Sequence, residues 1–310
     1  MDAITTLFPV FIMLALGLLS RIKSFITYEQ KEGVNAIVFN ILFPIMVFNL
    51  LFTSHISTSA IGIVAYVFVA FIFAMIVGHF LSFLTGRKIA HISPYLLTSV
   101  EGGNVALPLY TSIVGMSYAT NTVIFDLAAS MIVFVTIPIL IARQSSGDTN
   151  IKNLIKEMLS NSFLIAVILG VSLNLLGFHN MLSSTQFYNV YTNTMSMITG
   201  PIVGMILFII GYNLKLDLET LPSLIKLVLL RVVIYVIVIT GFFILFPDLM
   251  ADKIYMIAVI IYFLSPTGFA VPMLIQPITN EKDQDFMAAF ISLFMVVTLI
   301  VYTGVVLFIM

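Results

Sequence analysis

Of 310 residues, 61% are hydrophobic and 9% charged, with a mean hydropathy of +1.16; soluble domains carry about a quarter charged residues. Thirteen basic and 14 acidic residues leave a net charge of −1, which excludes the electropositive footprint of a nucleic-acid binder. The absence of cysteine excludes disulfides, thiolate metal sites and iron–sulfur clusters, while the apolar, charge-poor composition predicts an all-α integral membrane protein.

About 20 apolar residues cross the hydrocarbon, and this ruler predicts ten spanning segments. The first, 4–22, has no basic stretch before it, and its apolar run Leu7 to Leu19 is followed by Arg21 and Lys23, the reverse of a secretory signal. It is expected to remain in the mature protein. Segment 34–53 contains Asn35, Asn40, Asn49 and Pro44. Asn40 is a candidate to reach a central site; hydrogen bonding between helices is the plainer use of such residues. Segment 59–84 carries His79 near its end.

Segment 95–115 is interrupted by Glu101-Gly102-Gly103-Asn104-Val105-Ala106-Leu107-Pro108. In hydrocarbon an unpaired backbone group costs several kcal/mol, so a break survives only where protein or a water-filled cavity satisfies it. Segment 119–142 carries Asp126. The polar, turn-rich stretch Gln144-Ser145-Ser146-Gly147-Asp148 then divides the chain into repeats of five segments, 1–145 and 146–310.

The second repeat comprises 158–177, 193–212, 222–246, 254–276 and 286–309. Gly200 and Gly204 form a GxxxG match, a weak signal for close helix packing or a dimer. Arg231 sits five positions after Lys226, and snorkelling to the membrane interface is the expected fate of such a side chain. Segment 254–276 contains the second interruption, Ser265-Pro266-Thr267-Gly268-Phe269-Ala270-Val271-Pro272. Ala106-Leu107-Pro108 and Ala270-Val271-Pro272 align without a gap, each in the fourth segment of its repeat.

Counted loop by loop, Lys and Arg fall 11 to 1 in favour of the odd-numbered loops. The positive-inside rule makes those loops cytoplasmic and puts both termini outside. Five segments per repeat invert the second relative to the first, the architecture of a secondary transporter with its site at two broken helices near the midplane. The freed amides at such breaks attract anions and the freed carbonyls attract cations. Gly103, Asn104, Pro108, Pro266, Thr267, Gly268 and Pro272 are therefore the expected substrate-binding positions, with Asn40 added. Glu101 and Asp126 are the proton- or ion-coupling candidates, because carboxylates within a membrane usually face a functional interior. No metal site and no cofactor is expected.

Pro9-Val10-Phe11 leading to Gly17, the Asn35 to Pro44 pattern, Glu101 to Pro108 and Ser265-Pro266-Thr267-Gly268 together resemble the auxin efflux carrier family. That family comprises plant PIN-type carriers and bacterial permeases for malate, malonate and similar carboxylates. Gly103-Asn104-Val105-Ala106-Leu107-Pro108 is the most specific element. The resemblance implies a fold like that of sodium/proton antiporters and bile-acid symporters, with a scaffold from 1–57 and 153–218 and a transport domain from 58–145 and 219–310. It also implies homodimers through the scaffold and, by analogy with the smaller members, a bacterial inner membrane location. Two departures stand out: Glu101 occupies a place where the family commonly has Asn, and Ala106 replaces a glycine.

The leading expectation is a carrier of a small organic anion working by alternating access. A cation/proton antiporter using Glu101 and Asp126 is the alternative, with a channel or membrane sensor behind it. No HExxH, GxSxG or phosphate loop is present, so an enzyme is not expected.

Overall fold

The structure, a computed structural model, describes residues 3–53, 59–85, 89–145, 162–213 and 221–309. Among these residues every regular element is helical. Among the described residues, five helices are long and apolar enough to cross a membrane: Tyr28–Thr53, Ala60–Phe80, Phe187–Asn213, Leu221–Leu245 and Glu281–Phe308. The chain is an all-α membrane protein. Leu7–Ile22, Ser162–Leu175 and Lys253–Phe263 are apolar but shorter. Arg87, Lys88, Lys152, Lys156 and Lys215, and the repeat division after residue 145, lie outside the described residues.

The helix containing Asn40 begins at Tyr28, six residues before the apolar run that predicts it. Its start is fixed by a capping box, in which the Thr27 side chain and the Gln30 backbone, and the Gln30 side chain and the Thr27 backbone, bond reciprocally. Lys31, which falls between the predicted segments 4–22 and 34–53 and so among the loop residues counted there, is consequently on this helix and buried. Its ammonium pairs with Glu32 and lies 4.5 Å from the Tyr28 ring centroid and 5.7 Å from that of Tyr212.

The helices divide into two units, the first made of Met1–Leu7, Gly62–Leu154 and Leu214–Met310 and the second of Phe8–Ile61 and Ile155–Asn213. In the second unit, Ser162–Leu175 packs along Phe43–Thr53, with Phe43 stacked on Phe163 at 6.0 Å. Gly170 permits this approach, since a side chain there would meet the Phe48 carbonyl oxygen at 2.9 Å. A tighter crossing joins Ala3–Ile22 to Ile202–Asn213, where Gly17 faces the Phe208 carbonyl and Gly211 faces the Leu14 carbonyl. Within the chain, the GxxxG pair is not where helices approach closely. Gly204 has only the Met13 side chain near it, at 3.8 Å, and Gly200 only its own helix.

The first unit is centred on an aromatic cluster. Phe125 meets Tyr262 at 5.0 Å and Phe263 lies 5.7 Å from both Tyr235 and Phe242, all five rings being fully buried. Rings that are large, stiff and interlocked, here edge-on, tilted and stacked, give a core with few alternative packings. This cluster braces Thr120–Met131, Leu221–Leu245 and Lys253–Phe263, the helices that carry Asp126, Arg231 and one side of the second interruption.

Candidate functional site

Both sequence interruptions are real breaks, and both belong to the first unit. The short helix Ser93–Leu97 ends at Thr98, whose backbone is extended. Ser99 then takes a left-handed φ of 43°, an uncommon state for a residue with a side chain. The chain re-enters helix through the π turn Gly102–Ala106 and continues as Leu107–Val114. The π turn is visible in the Ala106 N–H, which donates to the Glu101 carbonyl five residues back at 3.1 Å. Pro108 follows in the first turn of the α-helix, where it has no N–H to give the ladder.

The second break interrupts a helix of opposite sequence position. Lys253–Phe263 stops, residues 264–270 are unwound, and helix resumes at Val271–Leu274 with Pro272 inside it. The two unwound stretches touch through their main chains, since the Glu101 N–H donates to the Pro266 carbonyl at 2.8 Å. Thr267 is fully buried and its hydroxyl donates to the Leu96 carbonyl. Gly268 lies against Ser99, where a β-carbon would sit 3.3 Å from the Ser99 hydroxyl.

Glu101 ties the crossing together from its amide-rich side. One carboxylate oxygen accepts the Phe269 N–H across the crossing, and the other accepts the Asn104 side-chain amide on its own segment. The N–H groups at the start of the π turn, Gly102 and Gly103 among them, have no carbonyl behind them in a helix. Asp126 approaches the same place: its Oδ1 accepts the Tyr262 hydroxyl at 2.8 Å, and any side chain at Gly102 would overlap the Asp126 carboxylate. Both carboxylates are 8% exposed, so two acidic groups share one enclosed corner of the crossing.

Arg231 overturns the snorkelling expectation. It is fully buried and donates to the carbonyls of Leu96 and Thr98 at 2.8 and 3.2 Å and of Ser99 and Ser265 at 2.8 and 3.2 Å. Four carbonyls freed by two breaks offer a guanidinium more than the membrane interface does, because the two terminal nitrogens of its fork meet all four, leaving Nε as the buried donor without a partner. The sequence offered one faint signal, an aromatic residue one turn on at Tyr235, whose hydroxyl donates to the Leu97 carbonyl at 3.1 Å. Main-chain acceptors have no signature in a sequence.

Of the expected site residues, Glu101, Gly103, Asn104, Pro108, Asp126, Pro266, Thr267, Gly268 and Pro272 lie at or beside this crossing. Asn40 is on the π turn Val38–Leu42 of the second unit and is exposed. Among the described residues no group of three His, Asp or Glu side chains could hold a metal ion. An open cavity of about 480 Å³, lined by Gln276, Thr279, Asn280, Glu281, Gln284 and Asp285, uses none of the crossing residues.

Chemically the crossing is polarised. Amides and two carboxylates lie on one side; carbonyls and a guanidinium lie on the other. Comparison with models of known protein families gave no match, and comparison with curated proteins gave none either.

Proposed function

We propose that this protein is a secondary carrier that moves a small organic anion, a carboxylate such as malate, across the plasma membrane by alternating access. The observation that carries the reading is the meeting of two helix breaks through the Glu101 N–H and the Pro266 carbonyl, 2.8 Å apart. A continuous spanning helix has no reason to unwind in lipid, whereas discontinuous helices form the substrate and ion sites of carriers. Ten crossings in two inverted repeats, outward termini and membership of the auxin efflux carrier family belong to the same proposal. The division into two units supports it, because the unit holding both breaks has the segment pattern of a transport domain and the other that of a scaffold.

In this reading the amide side receives the substrate carboxylate, and Asn104 supplies a side-chain amide to it. Glu101 and Asp126 take up and release the accompanying proton. The test uses purified protein in liposomes: labelled malate or a related acid should accumulate when the outside is acidified, and Asn104→Ala should lower uptake about tenfold or more, the loss of a charge-assisted hydrogen bond. Proton movement against Na⁺ or K⁺ with no organic acid present would instead establish the cation/proton antiporter, which the paired carboxylates also permit.

A homodimer through the scaffold is part of the proposal. Asn189, Asn193 and Ser196 form an exposed line on the helix Phe187–Thr199, a surface poorly suited to lipid and well suited to hydrogen bonding across two copies. The native chain has no cysteine, so an Asn193→Cys variant carries a single thiol. Mild oxidation in membranes should give a disulfide-linked dimer on a non-reducing gel; a band that stays monomeric at every oxidant dose counts against this face.

A further inference from the structure

The carbonyl side of the crossing is already occupied by the protein itself. Each carbonyl from Leu96 to Ser99 receives a donor: Leu96, Thr98 and Ser99 from Arg231 and Leu97 from Tyr235 at 3.1 Å. The other break contributes Ser265, bonded to Arg231 at 3.2 Å, and Leu264, whose carbonyl accepts the Thr298 hydroxyl at 2.8 Å. These are the carbonyl-rich, partially negative ends of Ser93–Leu97 and Lys253–Phe263. In crossed broken helices such ends, together with unwound carbonyls, are where a mobile cation is coordinated.

We infer that Arg231 is a tethered cation standing in that position, so that the crossing binds no monovalent metal ion and keeps its positive charge through every cycle. Three observations fit this role together. The guanidinium is fully buried; among the described residues no carboxylate forms an ion pair with it; and its charge is met by carbonyl dipoles and by the faces of Tyr235 and Phe294, at 4.6 and 5.0 Å from the ring centroids. A buried cation without a carboxylate partner is costly unless oriented dipoles and ring faces replace its hydration. The arrangement spans both breaks, so Arg231 is a positioning residue: it fixes the spacing of the two carbonyl ends and thereby the amide side where the substrate is proposed to bind.

The inference rests on the proposed function only in calling the protein a carrier, and its test reads stability without transport. The chain lacks tryptophan, so thermal aggregation of detergent-purified protein is followed by light scattering. With choline replaced by Na⁺, K⁺ or Li⁺ at constant ionic strength, the melting temperature of the wild type should not move. Arg231→Gly should melt about 10 °C lower, the consequence of leaving desolvated carbonyls facing a void. Millimolar guanidinium or methylguanidinium should restore much of that loss, and tetramethylammonium should not. Selective stabilisation of the wild type by one metal cation overturns the inference. So does an Arg231→Gly protein as stable as the wild type, or one that guanidinium fails to rescue. Should Arg231→Gly not fold, the wild-type cation series decides alone, an unmoved melting temperature supporting the inference and a selective rise overturning it.

Discussion

Gly211→Leu and Gly17→Leu are each expected to abolish recovery of folded protein, the largest stability effect of any single change in the second unit. A β-carbon at Gly211 would overlap the Leu14 carbonyl oxygen and lie 2.7 Å from the Leu14 carbonyl carbon and α-carbon. One at Gly17 would overlap the Phe208 carbonyl oxygen and lie 2.7 Å from the Tyr212 nitrogen. These are main-chain atoms, unable to rotate away as a side chain can, so the helices Ala3–Ile22 and Ile202–Asn213 must separate. Separation uncovers Val10, Leu14, Ile206, Leu207 and Ile210, all at most 4% exposed. In lipid, helix association rests on close packing rather than on expelling water, so a lost contact is not compensated by hydrophobic collapse. The cost should exceed about 3 kcal/mol, the upper part of the usual overpacking range. Size-exclusion chromatography after solubilisation reads the result. Gly204→Ala is the control, because only the Met13 side chain is near, at 3.8 Å; it should elute as the wild type does. If Gly211→Leu also elutes intact, the backbone crossing is not the fastening of this unit.

The contrast between Gly204 and Gly211 marks where sequence reading stops. A GxxxG pair advertises close packing, yet the closest approach uses two single glycines far apart in the chain, Gly17 and Gly211. Nothing local distinguishes them from glycines such as Gly33, which has no atom within 4 Å of a β-carbon. The breaks were legible for the opposite reason. Gly102, Gly103 and Pro108, and Pro266, Gly268 and Pro272, act on their own backbone, and their effect needs no partner to be read. Glu101 was legible as a carboxylate within an apolar run, and its bond to the Phe269 N–H follows from the amides that the second break frees. Arg231 was misread because its partners are carbonyls, which every residue has; only the fold decides which of them are left over. The early start at Tyr28 was written in Thr27 and Gln30, but the polar residues around them outweighed the cap in a reading based on apolar runs.

Glu101→Gln should change the pH dependence of anion uptake more than any other substitution at the crossing. In its charged form the Glu101 carboxylate takes the Phe269 N–H and the Asn104 amide, the donors an incoming carboxylate needs, and repels that carboxylate besides. In its neutral form it is a poorer acceptor and exerts no repulsion. Wild-type uptake should therefore be high at acid pH and fall as pH rises through the titration of Glu101. Glutamine has nearly the same shape, keeps an oxygen for the Phe269 N–H and is neutral at every pH. Its uptake curve should be flat. One pH unit above the wild-type midpoint only about a tenth of Glu101 is protonated, so the variant should outpace the wild type by about tenfold there and match it in acid. Gain of activity at alkaline pH is a demanding outcome, since damage to the site lowers uptake at all pH values. A second readout separates gating from coupling: with Glu101 unable to carry a proton, an imposed pH gradient should cease to drive accumulation while exchange of labelled for unlabelled anion continues. Retention of the gradient's effect in Glu101→Gln would move the proton to Asp126, whose Oδ1 is held by Tyr262 at 2.8 Å, and Asp126→Asn would then be the variant that uncouples. An unaltered pH profile in both would leave the two carboxylates as packing groups and remove the proton from the mechanism.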